Sequence, residues 1–169
     1  MSYTTILHVF PNNKVECGIK LKNAWGSAPV VWDALCQKYL GFEPLRYVSK
    51  DLSGLWNLWR DNSVPLHNRA VLMMTFDRAY VSKTDYQRAA DDIRKFLRDF
   101  PPDQKSVNHW NFIADFFSHN PEVPAIGFWC TSVSDNPFNG QYNDETEEYD
   151  APDWNECRDI YRHLDGVTS

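Results

Sequence analysis

Residues 4–22 read TTILHVF, then PNN, then KVECGIKLK. The apolar run 4–10 has strand length, and Pro11-Asn12-Asn13 is turn chemistry. Beyond the turn, Val15, Cys17, Ile19 and Leu21 alternate with Lys14, Glu16, Gly18, Lys20 and Lys22. A period of two places one set on each side of a pleated strand, one side buried and one wet. The pair therefore reads as an opening β-hairpin, whose buried face must be covered by the rest of the chain.

The next hundred residues are mostly helical in pattern. Ser27-Ala28-Pro29 is a helix start, since serine caps and proline suits the first turn. Val31, Trp32, Leu35, Cys36 and Tyr39 form its stripe and Gly41 ends it. A shorter helix opens at Asp51 or Ser53, with Leu52, Leu55, Trp56 and Trp59 on one face; Gly54 weakens it. AVLMMTF at 70–76 is a continuous apolar run, the pattern of a strand covered on both sides. Thr84 and Gln87 have capping-box spacing. The helix behind them buries Tyr86, Ala89, Ala90, Ile93, Phe96, Leu97 and Phe100, shows Arg88, Asp91, Asp92, Lys95 and Arg98 to water, and stops at Pro101-Pro102.

A helix over 107–118, a covered strand over 125–133, an irregular acidic loop over 134–152 and a helix over 153–164 complete the order. The expected fold class is α+β, with residues 1–169 as a single compact domain. An N-terminal β-hairpin and a small mixed or antiparallel sheet of about four strands pack with about five helices.

At 169 residues with 43% hydrophobic side chains, such a domain needs no disulfide or metal staple. Cys17, Cys36, Cys130 and Cys157 show no C-x-x-C spacing and read as reduced, mostly buried thiols in a cytoplasmic protein. The N-terminus has no basic region ahead of its short apolar run, so no signal peptide is expected, and no run approaches a membrane span. A pI near 5.3 and the lack of a Lys/Arg cluster argue against nucleic-acid binding.

Charge is unevenly distributed. Residues 1–105 carry 15 basic and 11 acidic side chains; residues 106–157 carry ten carboxylates and no Lys or Arg. Eight of those ten fall within 135–156. Asp144, Glu145, Glu147, Glu148 and Asp150 lie among Tyr142, Tyr149 and Trp154, with Phe138 just upstream. Carboxylates steer a basic partner and aromatic rings anchor it. A loop whose only task is solubility has no use for these rings, unless they pin it to the body. The expected function is a cytosolic protein-binding module, of the immunity or inhibitor type, that meets a basic protein through Tyr142, Asp144, Glu145, Glu147, Glu148, Tyr149, Asp150 and Trp154. No cofactor is called for.

Two other readings compete. Asp77 and Asp135 come just after the two apolar runs, and carboxylates at neighbouring strand ends could hold Mg²⁺ or Mn²⁺ in a small hydrolase or nucleotide-handling enzyme. Two helices lie between those runs, which makes the strands antiparallel and sets the two carboxylates at opposite ends. The third reading is a structural homodimer that pairs through the exposed edge of hairpin 4–22.

For nucleophilic catalysis there is no G-x-S-x-G, no phosphate-binding glycine loop and no metal-spaced histidine pair. On a helix, Cys157 and His163 would face nearly opposite sides. Trp56 and Trp59, near Trp25 and Trp32, could stack a ring-shaped ligand, but their spacing with leucines is that of core residues.

Overall fold

The computed structural model describes residues 3–10, 14–42, 53–103, 108–130 and 136–166, the side chains of Ala24 and Trp25 excepted. It is an α+β fold built on one mixed five-stranded sheet, with a separate two-stranded ribbon. The hairpin forms as expected: β1 (Tyr3–Val9) pairs antiparallel with β2 (Val15–Lys22). β1 also pairs antiparallel with β4 (Ala125–Trp129). β4 pairs antiparallel with β3 (Ala79–Ser82), and β3 runs parallel to the two-residue β7 (Arg158–Asp159). The order across the sheet is β2-β1-β4-β3-β7.

The two faces of this sheet have different covers. Ile6, Ala79, Val81, Ile126 and Phe128 point into the main core. There they meet α2 (Ala28–Leu40), α4 (Leu66–Met73), α5 (Tyr86–Asp99), α6 (Trp110–His119) and α7 (Ile160–Leu164). Leu7, Val9, Tyr80 and Trp129 point the other way and form a smaller cluster with Phe138 and Cys157. The acidic segment is therefore the lid of the second face.

Several elements differ from the sequence expectation. The run 70–76 is not a strand: residues up to Met73 belong to α4, and tight turns come after it. Ala70 to Met74 are all buried. A helix closed in on every side loses its polar stripe, and periodicity then cannot separate it from a covered strand. The real strand in this region is β3, whose four residues alternate between buried and half-buried beside charged Asp77, Arg78 and Lys83, too short a pattern to stand out. The final helix starts only at Ile160, capped by Asp159, whose Oδ1 accepts from the Arg162 amide at 3.3 Å. The short helix α3 (Ser53–Asn57) continues as a 3₁₀ turn through Arg60, and α1 (Asn23–Gly26) is a single turn after β2.

Strand β2 is less buried than its alternation implied. Cys17 is exposed, and Leu21 alone on that face is fully buried. The register slips at Gly18, since Ile6 pairs with Ile19 and Leu7 with Cys17. A Cβ on Gly18 would meet the Phe116 ring at 2.9 Å, so the bulge lies beneath that ring. As an outer strand β2 is flanked and studded by exposed Lys14, Lys20 and Lys22, charges that deter edge-to-edge pairing and disfavour a homodimer through this hairpin.

The cap residues also differ. Gly41 ends α2 in the left-handed conformation, as expected. Ser27 does not cap α2 with its side chain, and Thr84 and Gln87 form no capping box, since a 3₁₀ turn at 83–85 precedes α5. Among the described residues no helix is long and apolar enough to cross a membrane.

Candidate functional site

The segment from Asn136 to Cys157 is held down at both ends. Phe138 is completely buried, and its ring fills the space that a side chain at position 127 would take: a Cβ on Gly127 would lie 2.7 Å from it. Glycine in the middle of β4 thus makes the socket for the lid's anchor. Burying a phenylalanine stabilises by about 1.5–3 kcal/mol, enough to dock a segment this short. At the far end Cys157 joins the same cluster, and the Arg158 amide donates to the Arg78 carbonyl at 2.8 Å. Arg78 also forms an ion pair with Glu156. Trp154 packs edge-on against Tyr80, ring centroids 6.0 Å apart.

Between these anchors the chain is not an irregular loop. It forms the ribbon β5 (Tyr142–Asn143) and β6 (Glu148–Tyr149), in antiparallel register. Two backbone bonds close the base: Gly140 N–H donates to Asp150 O at 2.9 Å, and Asp150 N–H to Gln141 O at 2.8 Å. At the tip the Asn143 carboxamide oxygen accepts from the amides of Glu145 at 2.9 Å and Thr146 at 3.3 Å, an Asx turn. Glu147 takes φ 55°, a left-handed conformation that glycine or asparagine adopts at less cost.

The aromatic residues of the segment divide into two groups. Phe138 and Trp154 fasten it. Tyr142 and Tyr149 fasten nothing on the body: they meet edge-to-face, ring centroids 5.1 Å apart at 67°, and remain 51% and 45% exposed. Of the five exposed large hydrophobic side chains among the described residues, Tyr142, Tyr149 and Trp154 are three. Around them Asp144, Glu145, Glu147, Glu148 and Asp150 are all exposed, and none has an ion-pair partner among the described residues. A cleft of about 450 Å³ opens beside the ribbon's base, bounded by Asn139, Gln141, Asp150, Asp153, Glu156 and Arg78. The arrangement presents two half-exposed phenol rings amid exposed carboxylates, beside a cleft where Asp150 and Asp153 lie near the Arg78–Glu156 pair.

The catalytic alternatives gain little. Asp77 Oδ1 accepts from the Cys130 amide at 2.7 Å, so this carboxylate ties the end of β4 to the turn before β3. Asp135 lies outside the described residues. Among those described, no three His, Cys, Asp or Glu side chains are grouped to hold a metal. Cys157 and His163 do line one cleft of about 220 Å³, contrary to the expectation from a shared helix, because residues 158–159 are extended. Burial raises the Cys157 thiol pKa, which opposes the thiolate that nucleophilic attack requires. One pair left no trace in the sequence: Ser27 Oγ lies 2.8 Å from His109 Nδ1. Ser27 is fully buried, so no substrate reaches its hydroxyl, and burial lowers the His109 pKa. This pair braces α2 against the start of α6.

Trp56 and Trp59 are half-buried and line a groove. No protein-family model matches the chain, and no curated protein or solved structure is significantly similar to it.

Proposed function

We propose that the protein is a cytoplasmic protein-binding module, of the inhibitor or immunity type, that docks a basic protein partner on its acidic ribbon. The observation that carries this reading is the pair Tyr142–Tyr149, in edge-to-face contact and half-exposed on an anchored ribbon amid carboxylates without ion-pair partners among the described residues. Anchoring keeps the entropy lost on binding small, so contact surface converts to affinity more fully than on a loose loop. The carboxylates steer a cationic surface, and the rings supply the desolvated centre. Asp150 and Asp153, at the adjoining cleft where Arg78 already holds Glu156, receive an Arg or Lys of the partner. The free cysteines, three of them buried, suit a reducing compartment.

The test is co-purification from the native cell, in parallel with two variants. Tyr142→Ala/Tyr149→Ala removes the anchors. Glu145→Gln/Glu147→Gln/Glu148→Gln/Asp150→Asn removes the field. A basic protein retained by the wild type should be lost with the tyrosine variant. With the amide variant its association rate should fall about tenfold or more at low salt and converge with the wild type at high salt. An equal yield of the same partner with all three proteins removes the ribbon as the site.

A further inference from the structure

A second surface has the opposite chemistry. Trp56, Asn57, Trp59, Arg60, Phe76 and Arg158 line an open groove of about 300 Å³ that has no carboxylate among the described residues. Its aromatic walls are held in place. The Trp56 ring meets Trp32 at 5.5 Å and 88° and Phe76 at 5.7 Å and 73°. Trp32 is fixed in turn by its indole N–H, which donates to Thr75 Oγ1 at 2.8 Å. The Arg60 guanidinium lies 4.7 Å over the Trp59 ring.

Arg78, Arg88 and Arg94 each pair with a carboxylate, on Glu156, Asp165 and Asp115 respectively. Arg60 and Arg158 have no such partner among the described residues, in a chain whose net charge is −6. Arg69, Arg98 and Arg162 likewise have no ion pair among the described residues, but Arg60 and Arg158 face one aromatic groove, and two guanidinium groups so placed form a local positive site. Asn57 adds an exposed amide able to donate and to accept.

We infer that this groove binds a planar aromatic ring carrying an anionic group, the chemistry of a nucleoside monophosphate. The ring stacks against Trp56 or Trp59, and Arg60 with Arg158 takes the anion through charge-assisted hydrogen bonds. The volume stands at the lower end of small-ligand pockets, roughly 300–1,000 Å³, which suits one nucleotide and not a dinucleotide cofactor. The same chemistry is presented by a free nucleotide and by a nucleotide within a single strand. The core-like spacing of these tryptophans reflects only half of their surroundings. Each is half in and half out, and Arg158 reaches the groove from 98 residues further along the chain than Arg60.

The experiment is a titration followed by the indole N–H and arginine Nε–H signals in ¹⁵N NMR spectra. The probes are AMP, adenosine, inorganic phosphate and a short oligoadenylate. AMP should shift the Trp56 and Trp59 signals saturably at millimolar concentration or below. Adenosine and phosphate alone should each bind about tenfold more weakly, because each supplies half of the contacts. Arg60→Gln and Arg158→Gln, both at exposed positions, should each weaken AMP binding at least several-fold while the rest of the spectrum stays unchanged. Tighter binding of the oligoadenylate identifies a strand as the source, and equal or weaker binding identifies the free nucleotide. Absence of saturable shifts with both AMP and the oligoadenylate, or unchanged affinity in Arg60→Gln/Arg158→Gln, overturns the inference.

Discussion

Single residues show where side-chain chemistry departs from pattern. Asp92 belongs by spacing to the wet face of α5, yet it is buried. The Tyr161 hydroxyl donates to it at 3.0 Å and Lys95 at 3.1 Å, so the carboxylate joins α5 to α7. A buried carboxylate with donors supplied is tolerated where a bare one is not. Two exposed carboxylates on tertiary contacts contribute to the response to acid. A hydrogen bond with His67, at 2.6 Å, is the main cause that lowers the Asp99 pKa, with desolvation opposing and Asn68 assisting. The Arg88 fork, two bonds of 2.7 Å, does the same for Asp165. A carboxyl depressed on folding contributes stability that is complete above its unfolded value, near ~3.9 for Asp, and lost as pH falls through the lower folded value. Solvent screens both groups, so each contributes about 0.5 kcal/mol. The thermal midpoint should therefore drop below pH ~4. Asp99→Asn/Asp165→Asn should be less stable at neutral pH and show a shallower acid decline; an unaltered decline in that variant assigns acid sensitivity elsewhere.

Among elements, the β5–β6 ribbon shows how glycine placement lets two segments approach. A Cβ at Gly140 would lie 2.4 Å from the Ala151 carbonyl oxygen and 2.6 Å from that of Asp150, both backbone atoms that cannot swing aside. Gly140→Ala should spread the base of the ribbon. The Asp150 and Gly140 amides, bonded across that base, should then exchange with deuterium about tenfold faster or more, with the main core unaffected. Phe138→Ala acts on the same element from below. It should cost about 3–5 kcal/mol in urea unfolding if the socket at Gly127 does not collapse. Protection of the ribbon amides that survives Phe138→Ala would show that the lid is held without its anchor. Nothing in residues 134–152 announces this ribbon: its strands are two residues long, and its turn uses Asn143 and a left-handed Glu147 in place of Asn-Gly.

Taken whole, the molecule is a sheet with helices on one face and an acidic lid on the other. That arrangement sorts the cysteines. Cys36, Cys130 and Cys157 are enclosed; burial pushes the Cys36 thiol up to about 11 and raises those of Cys130 and Cys157. Cys17 is exposed on the outer strand. At mildly alkaline pH Ellman's reagent should titrate Cys17 rapidly in the native protein. The other three should react only on unfolding, and Cys17→Ser should abolish the fast phase. Rapid reaction of a second thiol would mean that the lid opens over Cys157.

Local patterning was enough for the hairpin, the long helix α5 and the α+β class. Those features rest on periods of two and 3.6 residues that any solvent-facing element must show. Composition alone also located the acidic-aromatic segment, since charge excludes a run of residues from the core wherever the chain goes. The tertiary structure alone decided that 70–73 is helical and that Phe138 and Trp154 serve the fold while Tyr142 and Tyr149 face outward. It also brought Arg158 to the tryptophans of residues 56–59. Each of these depends on which distant segment covers which surface, and contact between remote segments leaves no period in the chain to be read.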